Sequence, residues 1–499
     1  MPSTDSPAIL VARFLQANNY NETLSALLTE AGLPPDAGVV GPGDLTLEKV
    51  LEEKKIFDLS LNFQKVGVGE EGVKSWLVPA PRVSNPITTL PTSTNILHVS
   101  IEDIEDFPNE GQHSRVILAS TADRRLNILS TESPNHSLYA SHGHLHDSPI
   151  LSCAVVSKRW LVSTSMSGQL VLSDMRNQQV LDQAKDHSKY VVKVAVHEDE
   201  AAPEDEGEAG SALIATAGWD AKVFVYRSKL PQERYPGDGG AKRTLGNPIA
   251  SVSLKSNPEC IQIISHPEAS RPIFLVSIRD STFLYYYGLP EEESSSDVRR
   301  PPPSLVLLGQ QNLAPHSNAW VAFSPSAFAQ CPSDPTLLAV ATSSVPYMKI
   351  LFVRILLSSS FSQTEGLAAP PPPPPPPPPL TQAAQTRDAL RRADKEAAAI
   401  LSHTSTLAPQ TAYSTPQVCW RPDGSGVWVN GDDGFVRGVE ARTGKVLQTL
   451  KEGHEAGSKI RCICAGTSTE GKEVMVSGGF DHRLITWKVD DDDDHNDDG

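Results

Sequence analysis

One stretch near the C-terminus constrains the fold more than any other: Val474-Met475-Val476-Ser477-Gly478-Gly479-Phe480-Asp481-His482-Arg483-Leu484-Ile485-Thr486-Trp487. Val474 and Val476, then Leu484 and Thr486, alternate with their neighbours at the two-residue period of a strand, and Gly-Gly-Phe-Asp supplies the turn between them. Upstream stand Gly453-His454 and a further alternating run at Ile460, Cys462 and Cys464. So small a unit cannot bury its own faces, so neighbours of the same kind are required. The chain supplies six more strand pairs. They are Val116–Ala119 with Leu126–Ile128, Trp160–Ser163 with Leu170–Leu172, Leu213–Thr216 with Val223–Tyr226, Ile273–Val276 with Phe283–Tyr285, Leu337–Val340 with Met348–Leu351, and Gly426–Val429 with Phe435–Arg437.

The order Gly-His, strand, strand, turn with Asp, strand ending in Trp resembles one blade of a WD-repeat β-propeller. The resemblance implies a mainly β fold, a propeller of about seven blades over residues 73–490. It also implies a buried hydrogen-bond network in each blade: a His, a strand Ser/Thr, the turn Asp and a strand-end Trp. The last blade has the full set in His454, Ser477, Asp481 and Trp487, and the third has His187, Thr216 and Asp220 with Tyr226 at the Trp position. The Asp accepts from His and backbone N–H groups while the other members satisfy the His, so the role is structural. Elsewhere the set decays: Ser167 and Ser173 replace Asp and Trp in the second blade, and Ser343-Ser344-Val345-Pro346 stands at the fifth turn. The last blade lacks an outer strand, and Ser75-Trp76-Leu77-Val78 is assigned to supply it and close the ring.

Residues 6–33 form a separate helical unit. Ser6-Pro7 starts a helix whose one face carries Ile9, Leu10, Phe14 and Leu15, and Asn18-Asn19 ends it. A second helix aligns Leu24, Leu27, Leu28 and Ala31, stopped by Gly32 and Pro34-Pro35. The residues Ile9, Leu10, Phe14, Leu15, Tyr20, Thr23, Leu24, Leu27 and Glu30 resemble the LisH motif, which implies homodimerisation through the helix pair. Two helices of this size bury too little apolar surface to fold alone, which argues the same way. The alternative is a hairpin packed on the downstream domain.

Residues 34–72 read as a linker with a short helix over 44–55 and an alternating run at Phe57, Leu59, Leu61 and Phe63. Three stretches interrupt the blades: the acidic run Glu198–Gly210, the Glu/Ser/Arg/Pro-rich run Glu291–Pro303, and an insertion over 358–405. The insertion holds unbroken prolines from Pro370 to Pro379, a polyproline II run that is either a stiff spacer or a ligand for SH3, WW or profilin-type partners. A helix follows through Ala389, Leu390, Ala393, Ala397 and Ile400. Residues 491–499 are an acidic, solvating tail.

The net charge of −17 disfavours a nucleic-acid partner. The absence of an h-region or an 18-residue apolar run gives no signal peptide or membrane partner, and the default location is cytoplasmic or nuclear. The six cysteines contain no CxxC pair, and Cys462 and Cys464 read as small core residues. No nucleotide-binding loop or nucleophile elbow is present, so no catalytic or cofactor residue is assigned. His142, His144 and His146 share one face if the strand continues, without a carboxylate or Cys at ligand spacing; one of them serves as a blade's structural His and no metal is assigned. Asp174 and Arg176 match the end of a Trp-Asp-x-Arg motif by which some WD-repeat proteins dock on cullin-4 adaptors, with Ser173 in place of Trp. The expected function is a non-enzymatic scaffold that dimerises and binds proteins through the propeller; the alternative is a substrate receptor of a ubiquitin ligase.

Overall fold

A computed structural model describes residues 7–41, 44–49, 76–105, 113–132, 136–198, 211–229, 244–269, 271–290, 301–316, 323–357 and 382–490. The chain divides into two compact units, 1–72 and 73–499.

The first unit holds α1 (Pro7–Ala17) and α2 (Asn21–Glu30). Asn19, at φ +62°, reverses the chain between them. Gly32, also at φ +62°, ends α2, and the Leu33 N–H donates to the Leu28 carbonyl at 3.0 Å in a Schellman closure. Ile9, Ala12 and Leu24 are buried. Arg13 ties the following segment to α1 through the Leu45 carbonyl at 2.7 Å and Asp44 at 2.9 Å. Of the helix expected over 44–55, residues 47–49 are helical; the rest, and the run at 57–63, lie outside the described residues.

The second unit is seven four-stranded antiparallel sheets. Blade 1 is β2 (Ile96–Glu105), β3 (His113–Thr121), β4 (Leu126–Ser130) and β5 (Leu138–His142). Blade 2 is β6 (Ile150–Val156), β7 (Trp160–Ser165), β8 (Leu170–Asp174) and β9 (Gln179–Ala184). Blade 3 is β10 (Val191–Glu198), β11 (Ser211–Gly218), β12 (Lys222–Lys229) and β13 (Ala250–Ser253). Blade 4 is β14 (Pro258–Ile264), β15 (Ile273–Ile278), β16 (Phe283–Gly288) and β17 (Val306–Asn312). Blade 5 is β18 (Pro325–Gln330), β19 (Leu337–Thr342), β20 (Tyr347–Arg354) and β21 (Ile400–Pro409), and blade 6 is β22 (Val418–Trp420), β23 (Gly426–Val429), β24 (Val436–Glu440) and β25 (Val446–Leu450). Blade 7 is β26 (Ile460–Thr467), β27 (Glu473–Gly479), β28 (Leu484–Lys488) and, as its outer strand, β1 (Val83–Pro86).

The first strands of the blades, β2, β6, β10, β14, β18, β22 and β26, neighbour one another round the axis, and β26 returns to β2. There is no single core. Seven apolar clusters fill the seven blade-to-blade interfaces, for example Ile104, Leu118 and Leu126 against Leu145, Cys153 and Leu161 between blades 1 and 2. Alternation along each strand sends successive residues to the preceding and the following blade, which is why near-continuous apolar runs such as Ile273–Ile278 are buried throughout.

Closure by an N-terminal strand holds, but the strand is not Ser75–Val78. Val83 pairs with Lys488 and Pro86 with Ile485. An edge strand tolerates proline and polar residues, so Val-Ser-Asn-Pro suffices there. Trp76 instead lies against Trp428, with ring centroids 6.2 Å apart. It fits because Gly426 and Gly438 lack side chains; a Cβ on either would come within 2.9 Å of the Trp76 ring. The insertion is also shorter than 358–405, since Ile400–Ser405 belong to β21. Its helix, α3 (Gln382–Ala399), stops one residue before Ile400, and Glu396 accepts from the Asn312 N–H on blade 4 at 3.1 Å. Residues 199–210, 291–300, the prolines 370–379 and the tail 491–499 lie outside the described residues.

Candidate functional site

In six blades a backbone bond repeats at the top of the meander. The N–H of the residue opening the turn between second and third strands donates to the carbonyl of the residue just before the first strand, or nearly so. Ala122 bonds Asn95, Met166 Pro149, Trp219 Tyr190, Arg279 Asn257, Ser343 Ser324 and Phe480 Lys459, at 2.8–3.0 Å. These turns and entry loops therefore share one face, here the upper face.

Side-chain networks brace several of those turns. In blade 7, His454 Nδ1 lies 2.9 Å from Asp481 Oδ2 and Nε2 lies 2.8 Å from Ser477 Oγ, to which Trp487 Nε1 donates at 2.8 Å. Burial pushes the Asp481 pKa up, but the bonds from His454 and from the Glu455 and Arg483 N–H groups outweigh it and hold the carboxyl below its usual range. In blade 3, His187 bridges Asp220 and Thr216, each at 2.9 Å. Tyr226 stands at the Trp position: its hydroxyl donates to Asp186 at 2.8 Å and is also hydrogen-bonded with Thr216.

In blade 2 the ring of His146 meets Ser163 at 2.9 Å, which makes His146 the counterpart of His187 and His454. Of the three clustered histidines only His142 is on a strand, so the shared-face reading fails; His144 lies on the loop beyond β5, its Nε2 3.2 Å from the Gln178 carbonyl. A cavity of about 400 Å³ lies beside them, lined by His144, His146, Asp147 and Asp182. A hydrogen bond the sequence did not signal pins blade 1 to blade 7: His136 Nε2 lies 2.8 Å from Thr486 Oγ1, and Thr89 donates to the His136 carbonyl at 2.9 Å.

The upper face presents exposed apolar and aromatic side chains at its turns and loops: Met166, Tyr190, Val345, Tyr347, Tyr413 and Phe480. Tyr190 and Trp219 stack at 5.1 Å, and the Arg279 guanidinium covers Trp219 at 5.0 Å while its Nε pairs with Glu259 at 2.5 Å. Alternation does not reveal this set, because all but Tyr347, the first residue of β20, sit in turns and loops rather than strands.

The other sequence candidates fall as follows. Asp174 is buried, paired with Arg159 at 3.0 Å, and accepts from the Arg176 N–H at 2.9 Å. Arg176 is partly exposed and bridges to Glu105. Asp174 is therefore not on the surface, which leaves Arg176 alone of the pair for an adaptor to reach. In the helical unit Ile9 and Leu24 are buried, Leu10, Phe14, Leu15 and Leu27 half-buried, and Tyr20, Thr23 and Glu30 exposed. The cysteines are free thiols. Burial pushes Cys462 up to about 12 and Cys464 up to about 11, so both stay protonated.

At the rim between blades 6 and 7, Arg421 is fully buried. It pairs with Glu473 at 2.8 Å, donates to Ser425 Oγ at 2.9 Å and to the Val78 and Pro79 carbonyls at 3.1 and 3.2 Å, and lies 4.5 Å from the Trp76 ring. The segment 76–81 is thus strapped across the rim; Gln448 completes it, accepting from Trp76 Nε1 at 3.0 Å and donating to the Pro81 carbonyl at 2.8 Å. An open cavity of about 450 Å³ adjoins the strap, lined by Val78, Pro79, Pro422 and Val489 among others.

A helical pair at the N-terminus followed by a closed seven-bladed ring defines a LisH-bearing β-propeller protein of WD-repeat type. The comparisons agree: one family model, described as a β-propeller domain, matches residues 316–488, and a companion model of the same family's LisH domain matches residues 8–35. No curated protein matches the chain. A LisH domain with a propeller is the make-up of a protein-interaction scaffold. No described helix is long and apolar enough to cross a membrane.

Proposed function

We propose that the chain is a non-enzymatic scaffold that homodimerises through α1 and α2 and binds protein partners on the upper face of the propeller. The half-covered apolar side of the helix pair carries the dimer reading. Leu10, Phe14, Leu15 and Leu27 keep part of their surface open, and Val11 and Tyr20 are exposed. A second copy laid on that side buries them and gives the two helices a core large enough to hold. The exposed Met166, Tyr190, Tyr413 and Phe480, with the half-buried Trp219 stacked on Tyr190 and interleaved with Arg279 and Arg483, support the second half of the reading, since aromatic and Arg side chains anchor protein interfaces. Two linked propellers engage a bivalent partner with an avidity above that of either ring.

Size-exclusion chromatography with light scattering on the full chain and on a chain lacking residues 1–35 tests the dimer. A dimer that becomes a monomer on truncation is expected. Equal masses for the two chains refute it.

A further inference from the structure

Blades 2 and 7 share the turn between their second and third strands residue for residue. Leu170 opens β8 opposite Thr164, as Leu484 opens β28 opposite Gly478. The carbonyl one residue earlier, on Gln169 or Arg483, accepts from the Ser165 or Gly479 N–H at 3.2 Å, and the residue before that, Gly168 or His482, has positive φ. The entry loops correspond too, because His146 and His454 meet second-strand serines at one register, Ser163 and Ser477. Leu145 and Asp147 are therefore the counterparts of Gly453 and Glu455. In blade 7 those two loop groups hold a guanidinium: Arg483 donates to the Gly453 carbonyl at 3.0 Å and pairs with Glu455 at 3.2 Å. The same turn position carries a cation in blades 1 and 3, Arg125 and Lys222. In blade 2 it carries Gln169, whose side chain bonds Gln183 at 3.2 Å.

Between this turn and entry loop blade 2 has the cavity of about 400 Å³, whose lining includes Leu145, Asp147, Gln169 and Gln183. Its charged members are Asp147 and Asp182, and no Lys or Arg lines it. Asp182 is held in place by the Gln183 and Leu245 N–H groups, each at 2.8 Å. Among the described residues neither the Leu145 carbonyl nor the Asp147 carboxylate has a hydrogen-bonded or ion-paired partner. A third group is left open as well. His146, 3 % exposed, lines the same cavity, and its Nδ1 is buried and unpartnered, whereas that atom faces an Asp in blades 3 and 7. Burial pushes His146 down to about 4, so the ring is neutral. With Nε2–H donating to Ser163 Oγ, Nδ1 presents a lone pair. A buried ring nitrogen is rarely left without a partner in a folded protein.

We propose that this cavity on the upper face of blade 2 binds an arginine side chain of a protein partner, which takes the place that Arg483 fills from within blade 7. The proposal rests on the reading that the upper face binds proteins, and it names the chemistry recognised there. The guanidinium donates to the Leu145 carbonyl and the Asp147 carboxylate, as Arg483 does to Gly453 and Glu455. Asp182 adds a second negative charge, and His146 Nδ1 is an acceptor for a further N–H. Val180 and Leu181 give the methylene stem an apolar wall. A planar fork with five donors suits acceptors set apart on a carbonyl and a carboxylate, and a point-like ammonium reaches fewer of them. The net charge of −17 draws a basic partner toward the chain.

Ligand-observed NMR titration of the full chain with N-acetyl-arginine N-methylamide tests this, with the citrulline and lysine analogues as comparators. Saturable binding at one site per chain is expected, with a Kd on the order of 1–10 mM for so small a probe on a half-open charge pair. The neutral citrulline analogue binds about tenfold more weakly or worse, and the lysine analogue several-fold more weakly. Asp147→Asn, at an exposed loop position, weakens arginine binding about fivefold or more, and Glu470→Gln, an exposed carboxylate on the loop between β26 and β27, leaves it unchanged. Gln169→Arg places the chain's own guanidinium in the cavity, abolishes probe binding and raises the denaturant midpoint. No saturable binding by the parent, or parent-like binding by Gln169→Arg, overturns the site; equal affinity for arginine and citrulline overturns the part given to charge. The probe needs neither a protein partner nor a dimer, so its failure leaves the scaffold reading standing, and failure of the scaffold reading leaves the probe result intact.

Discussion

Replacing Arg421 by Met removes the centre of the rim strap while keeping the volume of its apolar stem. Arg421 has no exposed side-chain surface, and Glu473 opposite is 8 % exposed. Without the guanidinium the Glu473 carboxylate keeps only the bond from Trp428 Nε1 at 2.9 Å. Breaking a buried pair from one side costs about 3–5 kcal/mol, because the remaining charge is left unpaired. Unfolding entropy of about 2.1 cal/mol/K per residue over roughly 400 residues gives ~0.8 kcal/mol/K, so the melting temperature falls by ~4–6 °C. The loss also depends on pH. Burial already raises the Glu473 pKa, and Arg421 pulls against it; removing Arg421 raises it further. A carboxyl whose folded pKa is raised binds more protons folded than unfolded, so stability falls as pH climbs from the unfolded value through the folded one. The deficit of Arg421→Met is therefore smaller at pH 5 than at pH 8, and Arg421→Met with Glu473→Gln recovers about half of it or more at pH 8. Urea unfolding followed by tryptophan fluorescence reads both, with Trp76 and Trp428 as local reporters. A loss under 1 kcal/mol at pH 8, or a double variant less stable than the single, refutes the account.

Two further perturbations separate other buried groups. Burial raises Glu102 to about 7, so between its unfolded value and pH 7 this group makes stability fall with rising pH; Glu102→Gln is expected to gain ~1–3 kcal/mol at pH 8 and almost nothing at pH 4.5, read from denaturant midpoints at each pH. His98 and His146, pushed by burial to about 3 and about 4, act oppositely and cost stability as pH falls below 6.5, but they are common to both proteins and cancel from the difference. Asp481→Ala removes a buried acceptor of His454 and two backbone N–H groups, and is expected to cost about 2–4 kcal/mol, with amide exchange rising first at Glu455 and Arg483; unchanged exchange there refutes the bracing role.

The seven strand pairs were legible because each pairs two apolar runs across a short turn, and that pattern survives even where the His-Ser-Asp-Trp set has decayed. The two helices were legible from their caps and spacing. What was not legible is long-range. Ser75–Val78 looked the better closing strand because Trp, Leu and Val favour extended chain, but Trp76 is claimed by two glycines about 350 and 360 residues away, and an edge position accepted Val-Ser-Asn-Pro instead. β21 hid inside the insertion for a related reason. As the outer strand of blade 5 it needs no buried stripe on both faces, and His403, Thr404 and Ser405 show no apolar period. The Arg421–Glu473 pair spans 52 residues and has no local pattern at all.

The same distinction separates scaffold from candidate surface. Residues that build a blade recur at a fixed place in every repeat and are recognised by recurrence. Residues available for recognition break it. Trp219 and Phe480 occupy equivalent turn positions held by small or polar Ala122 and Ser343 in blades 1 and 5, and Lys193 and His98 occupy a bulge register held by Cys260, Ala327 and Cys462 elsewhere. A large or charged side chain at a position the fold satisfies with a small one contributes nothing to closing the ring.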